Sequence, residues 1–140
     1  MSRIIGIDPG EHTGVATFSG GKLIDLGTVR PIYILEWIRE IAPSRVIFED
    51  SRLTSPVWSR GTSQAASMKI ARNVGQVDGV CSLIDAACEI LGIPAHGISP
   101  KGKGAKLNAE KFQVATGWIG KSNQHERDAA MVAYKYKGAK

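Results

Sequence analysis

The chain is poor in cysteine, with two in 140 residues, Cys81 and Cys88. They stand seven apart in a stretch with helical patterning, roughly 10 Å along a helix axis, too far for a disulfide. They share a helical face with Ile84, beside Val80, Leu83 and Ala87, so they are expected to be small buried hydrophobes. Their spacing matches no zinc signature. Long apolar runs are also missing: Ile4–Ile7 is typical of the longest, against the roughly 18 residues a membrane span needs. The N-terminus MSRIIGID has no extended apolar segment followed by a small-residue cleavage site. Repeats and low-complexity tracts are absent too. A single soluble cytoplasmic domain covering residues 1–140, with no membrane partner, is the expectation.

What is present is ordinary globular composition, 43% hydrophobic and 22% charged, which excludes disordered, collagen-like and coiled-coil chains. The net charge of +5 is unevenly spread. Residues 1–100 carry 9 basic and 10 acidic groups, whereas residues 101–140 carry 9 basic and 3 acidic. A neutral body with a basic final quarter points to an anionic partner, most simply nucleic acid; a solubilising tail is the plainer alternative.

The pattern reads as βββαβαβαα. RIIGID (residues 3–8) is an apolar run closing on an acid, a buried strand. DPGEHTG is turn chemistry, and VATFS and KLIDLGTV form a hairpin about Gly20-Gly21. A helix over 31–42 opens at Pro31 and stops at Pro43. SRVIFED is a fourth strand, again ending in acid. A polar loop over 51–62 precedes a long helix from about 63 to 91, with a break near Gly75 or Gly79. Residues 93–99 form a fifth strand, KGKGAK a basic loop, and 107–117 and about 124–136 two last helices. The expected fold is α/β, a mixed five-stranded sheet flanked by helices on both faces.

Asp8 and Glu49 each close an apolar strand. If those strands are neighbours, both carboxylates leave the sheet at one edge, where their mutual repulsion favours a cation between them. A hard divalent ion, Mg2+ or Mn2+, suits such oxygen donors; turn capping or an arginine partner is the plainer role. In QHERDAAMVAY, His125 and Asp128 lie three apart, on one helical face. Ala129, Val132, Ala133 and Tyr136 form the docking stripe, and Ala129 and Ala130 permit close approach to a sheet. Three carboxylates and an imidazole can hold two metals about 3.5–4 Å apart, one activating water and one stabilising the leaving oxygen of a phosphodiester. Asp128 and Glu126 also suit the helix N-terminus by charge alone. Glu126 and Asp50 face elsewhere by phase and are read as surface charges.

GIDPGEHTG over residues 6–14, VIFE ending at Glu49, GQVDGV from Gly75 to Val80, and HERDAAMVA from His125 together resemble the RuvC family of Holliday junction resolvases, within the RNase H-like nuclease superfamily. The resemblance implies one RNase H-like nuclease domain. Asp8, Glu49 and Asp128 match the catalytic carboxylates, and His125 a fourth metal-ligand position. It further implies Mg2+, with Mn2+ as substitute and two ions per site, and a homodimer making symmetric cuts in a four-way DNA junction. The helix bearing Gly75, Gly79 and Val80 resembles the dimer helix, ordinary core packing being the alternative. S99-P-K101 resembles the segment whose lysine lies by the active site, which would make Lys101 catalytic.

DNA contacts are expected from Lys101, Lys103 and Lys106, separated by flexible Gly102 and Gly104, with binding that weakens steeply in salt. Arg52, Arg60, Lys69 and Arg72 would extend this footprint, a solvated surface charge being the plainer role for each taken singly. The family's wedge aromatic has no counterpart just after Glu49; Trp58 is the first, and a base stacked on it would contribute roughly 1–3 kcal/mol. That departure leaves room for other branched DNA substrates, and no helicase partner is assumed. An actin-like kinase would need several times this length. A YqgF-like RNase acting on structured RNA competes through EDSRLTS, which resembles its DERLT motif. A non-catalytic branched-DNA-binding module is the third reading.

Overall fold

The structure is a computed structural model and describes residues 2–54, 63–102 and 104–138. Five strands form one sheet: β1 (Arg3–Asp8), β2 (Thr13–Ser19), β3 (Lys22–Val29), β4 (Arg45–Glu49) and β5 (Ala95–Ile98). Four helices accompany them: α1 (Ile34–Ile41), α2 (Gln64–Leu91), α3 (Ala109–Thr116) and α4 (Gln124–Ala133). The sheet order is β3-β2-β1-β4-β5, with the first three strands antiparallel and β1, β4 and β5 parallel. This is the mixed sheet expected from the sequence. A hairpin can join antiparallel neighbours directly, whereas the parallel pairs need the crossovers through α1 and α2. Gly20 and Gly21 both have positive φ, 58° and 79°, which is what a two-residue hairpin turn matching the strand twist requires.

Side chains alternate between two cores. Ile5, Ile7, Val46 and Phe48 point to one face, where Ile34 and Ile38 of α1 and Val80, Cys81, Ile84, Ala87 and Cys88 of α2 cover them. Ile4, Ile47, Ala16 and Phe18 point to the other, under Phe112 of α3 and Ala129, Ala130, Val132 and Ala133 of α4. Helices therefore flank both faces. Both cysteines are free and buried. Burial raises both thiols, pushing Cys88 up to about 11, so neither is a ready thiolate.

Boundaries differ from the sequence reading where local chemistry intervenes. Pro31–Tyr33 is a 3-10 turn before α1. That helix ends through Ala42 in the left-handed region, φ 51° and ψ 55°, because the residue before Pro43 is hindered from helical geometry. The last expected helix divides into α4 and a 3-10 turn, Tyr134–Tyr136. The long helix does not break: α2 runs its 28 residues through Gly75 and Gly79, since glycine costs a helix only about 1 kcal/mol when no turn competes. Its buried residues all lie from Val80 onward. Among the described residues, no helix is long and apolar enough to cross a membrane.

Candidate active site

The register of β1 and β4 sets the site. Ile7 pairs with Phe48 in the parallel ladder, so Asp8 and Glu49 follow side by side on strands about 4.8 Å apart. Ile7 and Phe48 face α1 and α2; alternation turns both carboxylates to the opposite face, that of α4. There Asp128, 5% exposed, lies near the start of α4.

Two glycines let α4 come this close. A Cβ on Gly6 would overlap the Ala129 carbonyl oxygen and stand 2.8 Å from the Ala133 Cβ. A Cβ on Gly14 would overlap the His125 carbonyl. The first turn of α4 is fixed by a capping box between Asn123 and Glu126, which gives Glu126 the capping role the sequence allowed. Asn123 also donates from Nδ2 to the Thr28 hydroxyl of β3 at 3.1 Å.

One cavity of about 400 Å³ is lined by Asp8, Glu49, His125 and Asp128 together, with Glu11, His12, Lys106 and Gln124. The His125 Nδ1 lies 3.5 Å from Asp8 Oδ2. Gln124 Nε2 donates to Asp128 Oδ1 at 2.8 Å, and Lys106 Nζ stands 3.8 Å from Asp128 Oδ2. Arg127 completes the support: its Nη2 donates to Gln124 Oε1 at 3.3 Å and its Nε to the Leu107 carbonyl at 2.9 Å. The latter bond holds the chain beside Lys106. A larger apolar cavity of about 460 Å³ adjoins at Asp128, walled by Ile98, Leu107, Met131, Val132 and Tyr136. It offers little else for phosphoryl chemistry, so the acidic cavity is the candidate site.

Three carboxylates and an imidazole are in kind the donor set of a hard divalent cation. Among the described residues, however, no three His, Cys, Asp or Glu side chains stand grouped closely enough to hold a metal ion as they are. Asp8 and Asp128 instead engage His125, Lys106 and Gln124.

Other sequence expectations fare differently. Lys101 is exposed on the 3-10 turn Pro100–Gly102 and does not line the cavity. Lys106, beyond that turn, does line the cavity. Lys69 and Arg72 are exposed on the first half of α2. Trp58, Arg60 and Lys103 lie outside the described residues. Arg52 is not a free basic group: its Nε and Nη2 donate to Asp50 Oδ1 and Oδ2 at 2.8 and 2.9 Å, and Nη2 reaches Asp85 Oδ2 of α2 at 2.5 Å. Asp50 is correspondingly no surface charge but 6% exposed. Its phase was legible, but the face it turns to is roofed by Arg52. The guanidinium holds the Asp50 carboxyl below the usual carboxylate range, against the effect of burial. Gly97 leaves room for it, since a Cβ there would lie 2.7 Å from Asp50 Oδ2. Ser51 Oγ donates to Asp78 Oδ1 at 2.6 Å, tying the segment after Glu49 to α2 a second time. His12 and Gln124 were missed by the sequence reading; their only signal was adjacency to the strand-end acid and to His125.

No family model matches the chain, and no curated protein does. Solved structures do. RuvC of Thermus thermophilus in complex with a Holliday junction substrate superposes with TM-score 0.65 at 18% identity, over 96% of this chain and 91% of that one. A second Thermus thermophilus RuvC structure gives 0.63 at 18% identity, over 94% and 91%. The chain has the RuvC-type, RNase H-like fold over nearly its whole length.

Proposed function

We propose that this protein is a metal-dependent endonuclease that resolves four-way DNA junctions by symmetric strand cleavage. The observation that carries the reading is the meeting of Asp8, Glu49, Asp128 and His125 on one cavity of a fold shared with a junction-bound RuvC. In this reading Asp8, Glu49, Asp128 and His125 hold Mg2+, with Mn2+ as substitute and two ions per site. The cation supplies Lewis-acid polarisation of the phosphoryl oxygen and acidifies water. His125 and Lys106, which stand on Asp8 and Asp128, would have to release those oxygens for a cation to be held there. Lys106 then offers its ammonium to the substrate phosphate. Water adds to phosphorus as the bond to the 3′-oxygen breaks and that oxygen takes a proton, leaving 5′-phosphate and 3′-hydroxyl ends.

The exposed basic groups Lys69, Arg72, Lys101 and Lys106 favour backbone contacts with branched DNA. The first half of α2, with Met68 51% and Ile70 36% exposed and no buried residue before Val80, favours a homodimer. A two-fold pair suits two symmetric cuts.

The test is incubation with labelled four-way junction, flap, linear duplex and structured RNA, with Mg2+ and with EDTA. Paired nicks in the junction that need Mg2+ are expected. Asp8→Asn should abolish cutting while junction binding persists. Cutting of RNA alone would instead favour the RNase reading, and metal-bound junction without cutting a binding module.

A further inference from the structure

A cavity floored by carboxylates repels a phosphodiester unless donors in its walls offset that charge. Among the described residues, four donor side chains line this one: Lys106, His12, Gln124 and His125. In this structure three of them contact its acids. Gln124 and Lys106 stand on Asp128, and His125 stands on Asp8. Among the described residues, His12 is the donor with no carboxylate in contact.

The position of His12 is fixed by the turn that carries it. Thr13, fully buried, donates its hydroxyl to the Gly10 carbonyl at 2.7 Å, closing the loop after Asp8. Gly14 then seats against the His125 carbonyl. The His12 ring is exposed, and its centroid lies 6.3 Å from that of His125 with the planes at 40°. The rings therefore do not stack on each other's faces; they stand as two walls over the same acidic floor.

We infer that His12 contacts the substrate directly, its imidazole N–H donating a hydrogen bond to a non-bridging oxygen of the phosphodiester above Asp8. This rests on the nuclease reading. Lys106, which stands 3.8 Å from Asp128 Oδ2, would supply a second donor from the same cavity. The phosphate would then meet both an imidazole and an ammonium donor.

The test compares wild type, His12→Ala and His12→Gln in single-turnover cleavage of a four-way junction with Mg2+. The scissile linkage carries either ordinary phosphate or one of the two phosphorothioate diastereomers. Junction affinity and urea midpoint are measured alongside. His12→Ala should cut ordinary phosphate about 10–100-fold more slowly, less than the roughly 100–1,000-fold of a preorganised oxyanion-hole donor because the ring is exposed, with affinity and midpoint nearly unchanged. Sulfur at the contacted position should slow the wild type and lose that effect in His12→Ala. His12→Gln, which keeps an N–H donor, should recover part of the rate. A wild-type rate in His12→Ala overturns the inference, as does a slow variant retaining both sulfur effects in full. If wild type cuts no junction, the nuclease reading fails with it; if wild type cuts and only His12 proves indifferent, the inference alone fails.

Discussion

Replacing Arg52 by methionine keeps most of the side chain's length and removes its charge. Asp50 would then keep the Arg52 backbone amide, at 3.0 Å, but lose the two guanidinium hydrogen bonds at 2.8 and 2.9 Å. Each charge-assisted bond contributes roughly 1.5–3 kcal/mol, and breaking a buried pair by removing one partner costs roughly 3–5 kcal/mol. The Arg52 side chain is 32% exposed and the Asp50 side chain 8%, so water reaches one side of the pair and the lower end applies, about 3 kcal/mol. Asp85, at 48% exposure, stays solvated and adds little. A drop in melting temperature of about 9 °C follows for a domain of this size. Urea denaturation of wild type, Arg52→Met, Asp50→Asn and the double variant measures it. The double should lose less than the sum of the singles by more than about 1 kcal/mol, the signature of a direct pair. The sign with pH is fixed by Asp50. Its folded-state pKa is depressed, foremost by the Arg52 hydrogen bond. Its stabilisation is therefore complete above the ordinary carboxylate range and lost as pH falls through the folded-state value. The gap between wild type and Arg52→Met should shrink from about pH 7 towards about pH 3. A loss under about 1 kcal/mol at neutral pH, or strict additivity in the cycle, would refute the reasoning.

Three further outcomes are expected. Gly14→Ala sets a methyl on the His125 carbonyl. Because backbone cannot yield as a side chain can, it should cost about 3 kcal/mol and abolish cleavage; an unchanged urea midpoint would show that α4 does not depend on this contact. Thr17 is 1% exposed, and its hydroxyl has no hydrogen-bond partner among the described residues. Thr17→Val should therefore raise stability by about 1 kcal/mol, and a lowered midpoint would contradict it. Ala42, held at φ 51°, should gain about 0.5–1 kcal/mol on replacement by glycine, read as a higher melting temperature.

The parts of the fold most legible in the sequence are those where one physical requirement dominates. Apolar runs such as VIFE and RIIGID have few alternatives to a central strand, and the terminal acids then fall at a common edge once β1 and β4 pair in parallel. The HERDAA segment disclosed its helix because the three-residue step from His125 to Asp128 and the small residues behind it demand one face against the sheet. Gly6 and Gly14 belong to the same requirement, since their missing side chains are the space α4 occupies. Periodicity carries no such information about loops. Lys101 and Lys106 are equivalent in composition, and the choice between them is made by a 3-10 turn at Pro100 and by the Arg127 bond to the Leu107 carbonyl. His12 stood in a string that reads as turn chemistry, and nothing in that string shows that the turn borders the acidic cavity.

The contrast is sharpest at two adjacent acids. Glu49 and Asp50 are chemically alike and one bond apart in the chain, yet strand alternation sends one to the α4 face and the other to the α2 face. On the first face the carboxylate lines a polar cavity. On the second it meets Arg52, itself anchored on Asp85 of α2, with Ser51 bound to Asp78 alongside. Phase alone separates the two residues but not their environments, because solvent and a buried counter-ion are equally compatible with a carboxylate facing away from Glu49. What decides it is Gly97 on β5, whose missing Cβ is the volume that Asp50 fills. One peptide unit thus joins the acidic site to the segment that Arg52 and Ser51 tie to α2.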